Sequence, residues 1–221
     1  MPDDDRQDIP VWDPFIRLFH WSLAASFLVA YLTEDDFLGL HVWSGYVAGI
    51  LIVLRLPWGF VGPRHARFSN FVRRPAESIA YMRQLLALRA PRHLGHSPAA
   101  GAMIVVLMVA VTLTVLSGLA LYGAGEKAGP MAGLFPASAV DDTVGGHAAS
   151  QRQKGADHDD DDDDDDEDDP MAEALEEVHE FFADLTLGLV AFHLVGVAWT
   201  SFAHRENLVR AMITGRKRPD I

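Results

Sequence analysis

The chain has 221 residues, 49% of them hydrophobic, yet its formal net charge is −13, from 18 Lys+Arg against 31 Asp+Glu. Residues 123–177 alone hold 18 of those acids and three bases (Lys127, Arg152, Lys154), leaving 15 bases and 13 acids elsewhere. The absence of cysteine excludes disulfides, iron–sulfur clusters, thiolate zinc sites and haem attached through Cys-x-x-Cys-His.

A hydrocarbon core of about 30 Å needs about 20 apolar helical residues to cross it. Four segments qualify. The first spans 15–33 (FIRLFHWSLAASFLVAYLT) and the second 37–60, where Arg55 is the only charge. The third, 99–122, has no charged residue, and the fourth, 178–203, carries Glu180 and Asp184 near its start. Four such runs leave no room for a polar surface. The expected class is all-α: a four-helix bundle integral to a membrane.

The connections orient it. Residues 61–98 hold seven arginines against Glu77, and the tail after Ala203 holds Arg205, Arg210, Arg216, Lys217 and Arg218. By the positive-inside rule these segments face the cytoplasm, with both termini. Residues 123–177 form an acidic outer loop. The first thirteen residues lack the basic start of a signal peptide, so the first span is expected to be retained. The implied location is a cytoplasmic membrane, with the acidic loop on its periplasmic side.

Within the arginine-rich loop, residues 75–90 show helical spacing and read as a helix lying in the membrane interface or as a plain linker helix. Ser97 and Pro98 read as N-cap and first residue of the third span. Residues 141–170, with unbroken acidity from Asp159 to Asp169, cannot bury apolar surface and are expected to be disordered. Nothing in the pattern points to nucleic acid.

Ionisable groups at membrane depth are expensive and mark function. His20, His41, His179 and His193 lie in or at spans one, two and four, and the third span has none. His179 and His193, 14 residues apart, share a helix face and stand roughly 21 Å apart along the axis. In the expected topology His179 lies level with His41, and His193 lies toward the level of His20.

The result is two imidazole pairs, His41/His179 near the outer surface and His20/His193 near the inner one. Helical bundles build cofactor sites from facing side chains, and neutral imidazole is a good iron ligand. Two non-covalent haems, each with both axial positions filled by histidine, follow from that pairing. Gly45 and Gly49, at i+4 and i+8 from His41, offer a smooth strip for a porphyrin, with Gly188 and Gly196 comparable in the fourth span. Glycines in membrane helices also let backbones pack. Arg17 and Arg55 come out near the inner surface, either contacting haem propionates or snorkelling. His204 is a rival ligand to His193, although its neighbours Arg205, Glu206 and Asn207 place it at the interface.

The segments RLFHW at 17–21, GLHVWSGYVAGILIVLRLPWGFVG at 39–62 and VHEFF…AFHLVGV at 178–197 resemble the bacterial cytochrome b561 family. Within it, the nearer likeness is to the b-type cytochrome subunit of nickel–iron hydrogenase. RFSNFVRRP, LGHSPAAGAM and HRENLVRAMITGRKR extend the resemblance over nearly the whole chain except the acidic loop. It implies four helices holding two haems b, with ligands mapping to His20, His41, His179 and His193. It also implies electron exchange between the quinone pool and an outer-surface redox protein, such as a soluble cytochrome c or hydrogenase. Two other functions compete: a superoxide oxidase that reduces ubiquinone, and a non-redox metal or proton transporter or sensor. Superoxide calls for a basic outer pocket, and this outer face is acidic. Transporters usually show repeats or broken helices, which this sequence lacks.

Overall fold

The computed structural model describes residues 9–34, 36–135 and 170–218. The acidic run Asp159–Asp169, with His147 and His158, lies outside the described residues. Among the described residues, four helices are long and apolar enough to cross a membrane: α1 Pro14–Leu32, α2 Leu38–Val61, α5 Pro98–Ala124 and α6 Pro170–Ala203. Between α2 and α5 come a single 3₁₀ turn at Arg64–Ala66 and the short helices α3 Phe68–Phe71 and α4 Pro75–Leu86. A seven-residue helix, α7 Leu208–Thr214, follows α6.

Local chemistry sets these boundaries. Asp13 caps α1 by accepting the Ile16 amide, with Pro14 in the first turn; Ser97 does the same for α5 through Ala100, ahead of Pro98. α7 is capped by Asn207 and stopped by Gly215 at φ 79°, a left-handed turn that suits glycine. α4 ends at Leu86, short of the expected 90, where Leu88 turns to φ 57°. α6 begins eight residues before the expected span, because Pro170 and the good helix formers Ala, Glu, Leu and Met continue it outward. At 34 residues it is roughly 51 Å long, well beyond a hydrocarbon core.

The four long helices turn apolar side chains outward: Trp43 is 70% exposed, Val61 74% and Leu194 61%. Such surfaces belong in lipid. Inside, a hydroxyl cluster joins α5 to α6. Thr186 on α6 is fully buried and meets the Thr114 hydroxyl of α5 at 3.0 Å, and Thr114 also lies 3.0 Å from the Phe182 carbonyl. Gly49 of α2 lets α5 approach, since a Cβ there would stand 3.2 Å from Val115 Cγ1.

The first and last described segments and the arginine-rich connection gather at one end of the bundle. Strands β1 Ile9–Pro10 and β2 Arg216–Lys217 pair antiparallel. Trp12 packs its ring 4.4 Å from His96, and Arg92 pairs with buried Glu206 at 2.8 Å, with Lys217 at 3.7 Å. α4 is pinned there by Ser78 to the Pro98 carbonyl (2.9 Å) and by Trp199 Nε1 to the Leu85 carbonyl (3.3 Å). It leaves Ile79, Met82 and Leu86 exposed alongside Arg83, as a helix in a membrane interface would. The turn between α1 and α2 and the acidic start of α6 lie at the opposite end.

Candidate functional site

Three of the four spans supply a histidine at membrane depth, and the packing brings them together in two pairs. At the acidic end, His41 one turn into α2 faces His179 on α6, with ring centroids 5.9 Å apart and planes 83° apart. Nearer the arginine-rich end, His20 on α1 faces His193 on α6 at 6.5 Å and 55°. The shared helix α6 thus contributes one ring to each pair.

Each ring of the acidic-end pair is held from behind. His41 donates from Nδ1 to the Ala30 carbonyl at 2.9 Å, a bond from α2 to α1. His179 Nδ1 lies 3.1 Å from the Ser117 hydroxyl of α5. Gly118, the next residue, lets the ring lie against the α5 backbone: a Cβ there would come within 2.8 Å of His179 Cε1. Between the rings opens a cleft of about 80 Å³, lined by Ala30, Gly45, Ala48, Val115 and Gly118. Gly45 has nothing within 4 Å of its Cβ position, whereas Gly49, expected on the same strip, is turned to α5. Glu34 lines the cleft, and the Tyr31 hydroxyl donates to Asp184 at 3.3 Å.

At the arginine-rich end two cations keep unused donors. Arg55 is 3% exposed; one nitrogen donates to the Ala66 carbonyl at 2.9 Å, the guanidinium stacks 4.7 Å from the Phe68 ring, and Nη1 has no partner. It is buried rather than snorkelling, because the loop folds back over it. Arg17 runs under the turn at Gly215, with Nε buried and unpartnered. His20 Nδ1 is likewise buried without a partner. His204 stands apart from these groups, with Nε2 3.4 Å from the Tyr81 hydroxyl of α4. Burial first, then the cations Arg92 and Lys217, lowers its pKa, partly offset by Glu206.

Ser117, Gly118 and Thr114 were not singled out from the sequence. Their signal was two hydroxyl residues at i and i+3, followed by a glycine, in a span with no charge.

The profile of the prokaryotic cytochrome b561 family matches residues 11–215, and the chain belongs to that family. It is 26% identical over 152 residues to the probable Ni/Fe-hydrogenase B-type cytochrome subunit of Rhizobium leguminosarum bv. viciae. That match covers 55% of this chain and 62% of the relative, less than two thirds of its length. No solved structure matches.

A b-type cytochrome implies haem b, and the residues fit it. Two imidazoles bound to one metal from opposite sides, at metal–nitrogen distances of about 2 Å, put their ring centroids roughly 6 Å apart. Both pairs stand near that separation before any group lies between them. Gly45 leaves the α2 wall of the acidic-end cleft open, and unpaired Arg17 and Arg55 donors suit carboxylates at the other end.

Proposed function

We propose that this cytochrome carries two haems b, one per histidine pair, and conducts electrons across the cytoplasmic membrane between the quinone pool and an outer-surface redox protein. The observation behind this reading is the pair of facing imidazoles repeated at two depths along α6, 5.9 and 6.5 Å between rings. Bound haem supplies a one-electron centre, and two histidine ligands leave its iron no vacant position for oxygen. His41 and His179 would hold the outer group; His20 and His193 the inner one. Arg17 and Arg55 would neutralise the inner propionates, and Gly45 would let a porphyrin lie against α2.

The arginine-rich end, where residues 9–13, 62–97 and 204–218 gather, is the cytoplasmic side, following the charge bias of the connections. The acidic end is periplasmic. Its described charges are Glu34, Asp36, Glu126, Glu173, Glu176, Glu177, Glu180 and Asp184 against Lys127. That field steers a basic protein toward the outer pair and repels a small anion such as superoxide. A soluble cytochrome c fits by charge; hydrogenase is suggested by the name of the Rhizobium relative.

The test uses the purified protein in liposomes with the acidic end outward. Reduced quinone in the lipid should reduce a basic cytochrome c added outside, more slowly as salt rises. Absence of any haem-dependent transfer with either cytochrome c or a hydrogenase would overturn the proposal.

A further inference from the structure

Hydrogen bonding distinguishes the two histidine pairs. The Ser117 hydroxyl has a single proton, and it is spent on the Thr114 carbonyl at 3.0 Å. With that proton on the Thr114 carbonyl, the Ser117 oxygen meets His179, 3.1 Å away, as an acceptor. The bond needs a proton on His179 Nδ1, which leaves the lone pair on Nε2. Across the cleft, the Ala30 carbonyl can only accept, so His41 too carries its proton on Nδ1 and its lone pair on Nε2. Thr114 is itself anchored to α6 through Thr186 and Phe182, so the acceptor is held in place. In the inner pair, His20 Nδ1 is buried without any partner.

We infer that Ser117 is a positioning residue for His179: it fixes the tautomer and makes the outer pair the more strongly donating of the two, so that the outer haem has the lower reduction potential. This rests on the ligand reading under Proposed function. A histidine whose far N–H is hydrogen-bonded is the more basic ligand. Basic ligands favour ferric over ferrous iron, so adding one electron is harder at the outer site than at the inner one.

The experiment is potentiometry of the visible bands in Ser117→Ala and Ser117→Thr, with His179→Ala assigning the outer component as the one it loses. Ser117→Ala should raise the outer potential alone, by on the order of tenfold in ferric-over-ferrous preference, ~59 mV for one electron. Ser117→Thr, which keeps the hydroxyl, should restore it. Loss of the outer haem alone from the alanine variant, rescued by threonine, supports the same assignment. An unchanged outer potential, or an equal rise at both haems, would overturn it. Nitrogen-15 NMR of side-chain histidines in haem-free protein gives an independent readout. His179 should be protonated at Nδ1 in wild type and mixed in Ser117→Ala, and identical tautomers would overturn the inference. If His179→Ala removes no haem, the ligand reading itself fails.

Discussion

His41 on α2 and His179 on α6 meet ring to ring at 5.9 Å with nearly perpendicular planes, 83°, whereas His20 and His193 stand at 55°. Each outer ring has its orientation fixed by a hydrogen bond from a neighbouring helix. The angle between two axial imidazole planes governs the anisotropy of a low-spin ferric signal. Electron paramagnetic resonance should therefore show two signals, the more anisotropic one absent from His179→Ala. A single signal in wild type would contradict the two-site geometry.

Substituting the shared helix should separate the sites. His179→Ala should remove the outer haem and leave the inner, and His193→Ala the reverse, since each ring faces a different partner. His204→Ala should keep both, because that ring lies beside Tyr81 of α4. Loss of the inner haem from His204→Ala, with His193→Ala harmless, would transfer the ligand role to His204.

Glycine substitutions probe the cradle. Gly118→Ala places a methyl 2.8 Å from His179 Cε1, so the ring must shift and outer-haem content should fall severalfold. Gly133→Ala, outside the four long helices and with nothing within 4 Å of the new atom, should retain full haem. Haem-to-protein ratios of the two variants check this; equal ratios would show that α5 does not support the His179 ring.

The cap at the arginine-rich end should be acid-sensitive. His96 lies between Trp12 and Phe71, at 4.4 and 4.8 Å. Burial first, then Lys217, Arg55 and His65, pushes its imidazole down to about 3. Below pH 6.5 the unfolded chain takes a proton there that the folded chain refuses, so stability falls as pH drops from 6.5 toward 3. One such group contributes at most about 1.4 kcal/mol per pH unit. Glu206 acts lower. Burial raises its carboxyl pKa, but Arg92 and Lys217 outweigh that and hold it below 4.5. The stability it contributes is complete above 4.5 and lost as pH falls through the depressed value. Melting curves in detergent should show His96→Phe flattening the slope just below pH 6.5. Glu206→Gln should alter the curve mainly under 4.5. Unchanged slopes would remove both groups from the account.

Much of this was legible from composition. The charge-free run 99–122 and the histidine-bearing runs around it identified four spans, and Ser97-Pro98 marked where α5 begins. The first two turns of α6 were read as loop, because Glu173, Glu176 and Glu177 made the segment look solvated; acidity and helix are compatible once the helix leaves the bilayer. The sequence spacing of His179 and His193 put them on one face, but periodicity says nothing about what packs behind a ring. Ser117 lies 62 residues from His179 in sequence, and only the packing of α5 on α6 joins them. Arg55 illustrates the same limit: its face followed from spacing, its burial from the fold-back of residues 64–71.

The central claim is the number of haems, and a pyridine haemochrome assay on detergent-purified protein measures it. Two non-covalent haems b per chain are predicted, falling to one in His179→Ala and one in His193→Ala. One haem or none in the wild-type protein would contradict the two facing pairs as ligand sites.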